Sequence, residues 1–481
     1  MASIWVNNTA TSATDIVVLR STSVHDDKNA SSINEPIRRA SSPFGGIPLK
    51  MLNLLTRSAS PQFGYVSPTL HDDLRDSEKA QLFDHFCNVL SRLIVLREGG
   101  GNLFQQLIVP LSQHSQPVRE ATYALAGGHL EYRGQSVRHS SVYFYNRAIR
   151  SLRLSITRAP DTCNKEALTT IILLICYEAL VQNGHSNMIS QHLHGVMALL
   201  NSYRDTSDPT RRLLERAFVF YDVVTALSLG TVSVTSNLGR RSLQPLNPLS
   251  SQGNTAPGGS SDAFLSMTVS LWPIMHKLSS LHKFKSEVLK ATCSNDNSKM
   301  LALQSELYKQ AKEVEDALLG WYLQCGLEMF EPGQKKAPKP SVFSSALAYR
   351  HSALVFLYRT FLGHSRGHHL VQHHVSKSLE YCMATVTSNG PLGTLLWPLF
   401  IAAVDAENEE QRKFATDAFL EMDRRQGMQN IARAWCIVQE VWRRMNPRNM
   451  QTVNEKLGVG IQTENDWRTV RAEMGFELIL A

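Results

Sequence analysis

The stretch Leu168–Val181, LTTIILLICYEALV, decides the fold class of this chain. It is the most apolar stretch of the sequence, but it is shorter than the ~20 residues that a membrane-spanning helix needs, and it contains Glu178. We therefore predict a buried core helix at this position and a soluble protein.

Helical spacing continues on both sides of this stretch. Apolar residues between Leu82 and Ile94 recur at i, i+3, i+4 and i+7, and the helix that they predict ends before Gly99–Gly101. Alternating Val/Ile/Thr runs bounded by turn dipeptides are missing, so no sheet is predicted. We predict an all-α fold, a large multi-helix domain with further helices at 103–114, 117–132, 136–158, 164–183, 187–202, 209–229, 263–292, 298–325, 341–363, 367–386, 394–404, 407–423, 428–445 and 463–475.

Composition divides the chain into three parts. The first 45 residues contain 12 Ser/Thr, and a stretch with so little apolar content cannot offset its ordering entropy, so 1–77 is predicted to be a disordered tail. The helical body spans 78–446, and a Ser/Gly/Pro-rich loop or linker at 231–262 could divide it into two lobes. Residues 447–481 are predicted to be a C-terminal extension with a short helix.

Charge and cysteine content exclude several protein classes. The 49 Lys+Arg and 42 Asp+Glu give 49 − 42 = +7 over 481 residues, a mild excess that does not by itself require nucleic acid. The content of 43% apolar and 19% charged residues is that of a globular protein. Seven cysteines without a C-x-x-C pair exclude a cysteine zinc finger and a redox dithiol. No secretory signal is found near the start, so we expect reduced thiols in an intracellular protein.

Asp72, Asp73 and Asp76 form the D-D-x-x-D pattern with which helical terpene synthases bind magnesium. Carboxylates at these positions can supply oxygen ligands to a hard cation that bridges a diphosphate. Against this, acidic residues at a helix start also favour the helix dipole. The second metal motif of such enzymes is not met at Asn295-Asp296. A magnesium- and diphosphate-dependent enzyme is therefore the alternative function, which loss of magnesium binding in Asp73→Ala would test.

Two other patterns lie close together in the sequence. The stretch from His364 to His374 is dense in histidine, and His369 and His373 within it have the i, i+4 spacing of a zinc pair. No third ligand is nearby, so we predict that the histidines of this stretch, His374 included, are neutral imidazoles on a solvated helix. Gly363-His-Ser-Arg-Gly367 matches G-x-S-x-G, but no strand precedes it, so we predict a turn between helices. We predict no catalytic residue, no metal ligand and no cofactor.

A run of arginines falls along one predicted helix, beside Tyr143-Phe144-Tyr145. A solvated basic face is the simpler interpretation, and a surface for phosphate or an acidic partner is the alternative. The arginines are Arg138, Arg147, Arg150, Arg153 and Arg158.

Several leucine-rich stretches occur in a fixed order. They are Asn102–Leu111, Arg119–Leu130, Tyr143–Leu152, Leu395–Ala403 and Val441–Arg444. Together they resemble the helical regulatory domain of fungal zinc-cluster transcription factors, over about residues 78–446. The resemblance implies a nuclear regulator whose helical body represses, activates or senses an effector, while a separate N-terminal module binds DNA.

The DNA-binding module of that family is absent from this sequence. It uses six cysteines to hold two zinc ions, and the first cysteine here is Cys87. No DNA-binding residue can therefore be assigned, and direct DNA binding by this chain is not expected. Three explanations stay open: an upstream exon lies outside the sequence, the protein is a co-regulator without the cluster, or the domain has another use.

The resemblance also sets expectations for residues, partners and location. The signature residues Trp397, Pro398, Phe400 and Trp442 are expected to be structural, with Trp397 buried at a helix start and Trp435 and Trp442 on one helix face. The implied partners are other transcription regulators or a DNA-bound protein, with no membrane. A homo- or heterodimer and a small-molecule effector are left open. The function expected is control of a metabolic or secondary-metabolite gene set in the nucleus, and a non-catalytic scaffold is a further alternative.

Overall fold

The computed structural model describes residues 77–94, 103–158, 164–181, 188–202, 209–237, 271–328, 340–388, 390, 392–445, 466–475 and 477–481. The first 76 residues, with Asp72, Asp73 and Asp76, lie outside this part of the chain. So do most of the 231–262 loop, from residue 238 onwards, residue 446, and the first part of the C-terminal extension, 447–465.

Every regular element in the described residues is a helix, which confirms the all-α prediction. The helices are α1 (Ser77–His85), α2 (Ser91–Ile94), α3 (Leu103–His114), α4 (Gln116–Tyr132), α5 (Ser141–Arg158), α6 (Asn164–Leu180), α7 (Met188–Ser202), α8 (Pro209–Leu229), α9 (Trp272–Cys293), α10 (Asn297–Glu328), α11 (Pro340–Thr360), α12 (His369–Thr387), α13 (Leu396–Val404), α14 (Glu409–Gln426), α15 (Gln429–Arg444) and α16 (Trp467–Met474).

Most helix bounds agree with the prediction to within a few residues, but the start of α5 does not. The prediction placed it at 136, and the helix begins at Ser141. The carboxylate of Glu131 explains the difference, because it accepts hydrogen bonds from the backbone nitrogen and the hydroxyl of Ser141 at 2.7 and 2.6 Å. A side chain from the preceding helix thereby satisfies the free N–H at the helix start.

A π-helical segment, Phe86–Leu90, joins α1 to α2, and the periodicity of the sequence did not predict it. The wider turn changes which side chains point inward. It buries Phe86 and Leu90 completely, while Ser91 donates its hydroxyl hydrogen bond to the carbonyl of Cys87 at 2.9 Å.

The predicted core helix is α6, and its burial is confirmed. Every residue from Ala167 to Val181 is buried, including Glu178. The helix packs against α4, α7 and α8. Burial on all sides is what a uniformly apolar helix requires, because it has no polar face to turn to water.

The buried apolar residues form one continuous cluster that runs from Leu82 to Ala481 and includes helices on both sides of the 231–262 loop. That loop begins with a short 3₁₀ helix, Val234–Asn237. The backbone nitrogen of Val234 donates a hydrogen bond to the carboxylate of Asp222 at 2.9 Å, which fixes the start of this helix. The last residues of the chain also enter the core, where the Ala481 carbonyl accepts a hydrogen bond from Asn430 at 2.8 Å. Among the described helices, none combines the length and the apolar character needed to cross a bilayer.

Candidate functional site

Trp397 and Pro398 lie in the first turn of α13. Pro398 occupies a position whose backbone nitrogen has no partner within the helix, so the missing N–H costs nothing there. Trp397 is 0% exposed. Its ring stacks on Tyr349, with 5.6 Å between centroids and 13° between planes, and lies 5.9 Å from the ring of Phe356. The expected position of this tryptophan, buried at a helix start, is the one observed.

Phe400 connects α13 to the C-terminal helix α16. Phe400 is 0% exposed, and its ring meets the edge of Trp467 at 5.2 Å between centroids. Arg468 lies 4.4 Å over the Trp467 ring and 5.3 Å over Phe356, where a cation is attracted to the aromatic face. The signature helix thus contributes one aromatic contact to the packing of α16, which also packs against α15.

Trp442 lies at the edge of the same core and is partly exposed. Its ring meets Trp435 edge to face at 5.5 Å, and its Nε1 donates a hydrogen bond to the Ala403 carbonyl at 2.9 Å. Arg412 covers it at 5.3 Å. These contacts are all within the protein, and a packing role for the signature residues stays a prediction.

A buried carboxylate follows the end of α13. Asp405 is 6% exposed, and its Oδ1 accepts hydrogen bonds from Arg359 at 3.0 Å and from Arg366 at 3.1 Å. Gln372 donates to the backbone carbonyls of Asp405 and Arg366 at 3.0 and 2.9 Å. Removal of either partner from a buried ion pair of this kind is strongly destabilising, because the charges that remain stay desolvated.

The same contacts order the G-x-S-x-G segment. Gly363–Gly367 is a turn between α11 and α12, as predicted, and Gly363 has a φ of 70° that favours glycine. It follows a helix and not a strand, so the turn lacks the strand-to-helix geometry that exposes a nucleophilic serine.

The histidines of α12 divide into two groups. His369 and His373 are exposed, as predicted, but the prediction of solvated imidazoles is wrong for His374, which faces α11 and is buried. Its Nδ1 lies 2.8 Å from Nδ1 of His351, so one ring donates and the other accepts. Burial lowers the pKa of His374 to about 4 and that of His351 to about 3. In the part of the chain that the structure describes, no group of three His, Cys, Asp or Glu could hold a metal ion.

A second histidine pair, with His129 buried and His85 half-buried, links α1 to α4, and the sequence analysis missed it. Nε2 of His129 lies 2.9 Å from the Gln426 carbonyl, which can only accept, so Nδ1 of His129 accepts from Nε2 of His85 at 2.8 Å. Burial lowers the pKa of both imidazoles to about 4. This contact cannot form when both rings are charged, since each facing nitrogen would then be a donor. No spacing in the sequence indicates the pair, because the two residues are 44 positions apart.

Two cavities lie beside Asn430, between α15 and the last residues of the chain. Each has a volume of about 10 Å³, which is room for roughly one water molecule. Small-molecule sites have volumes of roughly 300–1,000 Å³. Neither cavity therefore holds an effector in this conformation.

Four of the five arginines of the predicted basic face lie on α5, whereas Arg138 lies in the connection that precedes the helix and is exposed. Arg147 forms an ion pair with the buried carboxylate of Glu120, with Nη2 2.7 Å from Oε1. Arg150, Arg153 and Arg158 are exposed, and within the described ranges no carboxylate forms an ion pair with them. The face can therefore attract an anionic group.

Comparison with known proteins gives one family match. A model of the fungal-specific transcription factor domain matches residues 81–481, which is most of the chain and includes the C-terminal segment that the motifs alone did not reach. No curated protein and no solved structure matches the chain. Because the match covers well over half of the sequence, the chain belongs to the fungal-specific transcription factor domain family.

Proposed function

We propose that this protein regulates a metabolic or secondary-metabolite gene set in the nucleus by binding other regulators, with its helical body as the binding domain. The family match over residues 81–481 carries this proposal, since it supports a role as a transcriptional regulator. The gene set, the nuclear location and the partners are the parts that need experiment.

Two features of the structure favour protein partners over a small effector. The cavities beside Asn430 are too small for such a ligand, whereas α5 presents an exposed surface that combines arginines with apolar side chains. We propose that a DNA-bound partner recruits this chain to a promoter.

A tethering experiment tests this function. The full chain is fused to a heterologous DNA-binding domain in a fungal host, and a reporter carries the matching operator. We expect reporter output to rise or fall by several fold relative to the DNA-binding domain alone. Asp405→Ala is the control for folding, because Asp405 is buried and its loss destabilises the protein. The effect of this variant on the reporter should follow the abundance of the fusion protein. An unchanged reporter, with the fusion present in the nucleus, contradicts the proposal.

The magnesium-dependent enzyme has no support from the comparisons. Its proposed ligands, Asp72, Asp73 and Asp76, lie outside the described residues. Magnesium-dependent turnover of a prenyl diphosphate by the purified chain, lost in Asp73→Ala, would restore that alternative.

A further inference from the structure

One face of α5 carries a regular stripe of arginine and apolar side chains. Tyr143, Arg147, Arg150, Leu154 and Arg158 stand at i, i+4, i+7, i+11 and i+15, which places them along one side of the helix over about 22 Å. We refer to these five residues as the α5 stripe. None of them is fully buried, and Tyr143 and Leu154 are 43% and 50% exposed.

In the described part of the chain, Arg147 is the one arginine of the α5 stripe that pairs with a carboxylate. Helix α5 contains no Asp or Glu. Three acidic residues lie next to it, and each is used inside the protein. Glu120 is 2% exposed and pairs with Arg147, Glu78 is 7% exposed and accepts from the backbone of His139 at 2.7 Å, and Glu131 binds the start of α5. The outer arginines therefore project a positive potential that a complementary acidic surface would meet.

Tyr143 is exposed but held in one orientation. The ring of His139 stacks on it, with 4.8 Å between centroids and 25° between planes. From the other side, Nη1 of Arg147 donates a hydrogen bond to the tyrosine hydroxyl at 3.1 Å. An aromatic side chain that is already ordered loses little conformational entropy when a partner covers it, which is how binding hot spots gain affinity.

Leu154 supplies a second apolar contact, about 16 Å along the helix from Tyr143. Two apolar anchors three turns apart, with arginines between and beyond them, are complementary to a helix that carries apolar residues at the same spacing and acidic residues around them. A DNA backbone would pair with the arginines but would leave Tyr143 and Leu154 in water. The apolar anchors therefore favour a protein partner.

We propose that the α5 stripe is a docking site for an acidic amphipathic helix of a partner protein. The proposal rests on the proposed function, and it specifies the chemistry of the partner through which the regulator acts. The contact would run parallel or antiparallel to α5, with acidic side chains against Arg150 and Arg158 and an apolar residue against each anchor.

The test uses the full chain and a synthetic probe. The probe is a fluorescein-labelled peptide of about 20 residues, rich in Glu and with leucines at i and i+11, and its binding is followed by fluorescence anisotropy. We expect both Arg150→Glu/Arg158→Glu and Tyr143→Ser/Leu154→Ser to weaken binding by about tenfold or more.

Matched controls separate the surface from net charge and from folding. Lys283→Glu/Lys309→Glu makes the same charge change on α9 and α10, where both lysines are exposed, and it should leave binding within about twofold of wild type. A peptide with the leucines moved to i and i+8 should bind the wild-type protein less tightly. Circular dichroism melts identify any variant that has lost its fold.

Three outcomes overturn the proposal. The first is no binding of the probe by the wild-type chain at ~100 μM. The second is loss of binding in the arginine variant but not in Tyr143→Ser/Leu154→Ser, which indicates a simple anion surface. The third is equal competition by duplex DNA, which indicates a nucleic-acid face. The tethered reporter distinguishes failure of the docking proposal from failure of the proposed function. A silent reporter with intact peptide binding contradicts only the proposed function, and an active reporter without peptide binding contradicts only the docking proposal.

Discussion

Truncation of Trp397 to alanine removes a fully buried indole from the core at the start of α13. The indole is 0% exposed and stacks on Tyr349, so little can move in to fill the space. Truncations of this kind cost about 3–5 kcal/mol in the free energy of unfolding. The Nε1 of Trp397 is buried and has no hydrogen-bond partner among the described residues. Its removal relieves a desolvation cost of about 1–3 kcal/mol, so we expect the lower end, about 3 kcal/mol.

Trp397→Phe provides the matched comparison. It keeps an aromatic ring against Tyr349 and removes the unpaired N–H, so we expect it to cost no more than about 1.5 kcal/mol. The order of stability should therefore be wild type, Trp397→Phe and Trp397→Ala, with a clear gap between the two variants.

Urea denaturation followed by circular dichroism at equal protein concentration measures this order, through the shift of the midpoint at constant slope. A thermal melt of each variant provides an independent reading. An alanine variant within ~1 kcal/mol of wild type, or a phenylalanine variant as unstable as the alanine one, would refute the reasoning that ring packing dominates this site.

Three further perturbations test other parts of the structure. Asp405→Ala leaves two guanidinium groups without their shared carboxylate and should cost about 3–5 kcal/mol, whereas Arg443→Ala, at an exposed ion pair, should cost less than ~1 kcal/mol in the same urea titration. The pKa of His129 is lowered to about 4 in the folded protein, so the unfolded chain binds more protons below about pH 6.5. Stability should then fall by about 2 kcal/mol per such group from pH 7 to pH 5, and His129→Gln should flatten this dependence. Gly427→Ala places a Cβ 2.9 Å from the Arg133 side chain at a φ of 60°. It should lower the melting temperature by several degrees, roughly the effect of 1 kcal/mol or more. An unchanged melting temperature would show that this left-handed backbone position tolerates a side chain.

Sequence periodicity predicted most of the fold because helices are local. The bounds of α3 and α8 were predicted to the residue, since apolar spacing, glycine and proline act within a few positions of each other. The predicted core helix was right for the same reason, because a stretch that is apolar on nearly every side has to be buried. Phe86–Leu90 was beyond such reasoning, since a π-helical turn is selected by how the flanking helices pack and not by the local pattern.

The signature tryptophan at the start of α13 was also predicted from local rules, since proline restricts where a helix can begin. The partners of that tryptophan were not, because Tyr349 and Phe356 come from α11, more than forty positions earlier in the chain. The burial of His374 was missed for a related reason. Residues on one helix alternate between solvent and core, and only the position of α11 decides which histidines of α12 are covered.

By itself, the sequence determined the all-α class, the positions of most helices, the family of the protein and the presence of an arginine-rich helix. These properties depend on composition and on spacings within one or two turns. Only the tertiary structure decided that Asp405 joins two arginines, that two pairs of histidines are hydrogen-bonded ring to ring, and that Tyr143 is held outward between His139 and Arg147. Most of these contacts join residues far apart in the chain, and even the local ones around Tyr143 require a particular exposed side of α5. Their formation depends on how the helices pack, which a pattern read along one segment does not contain.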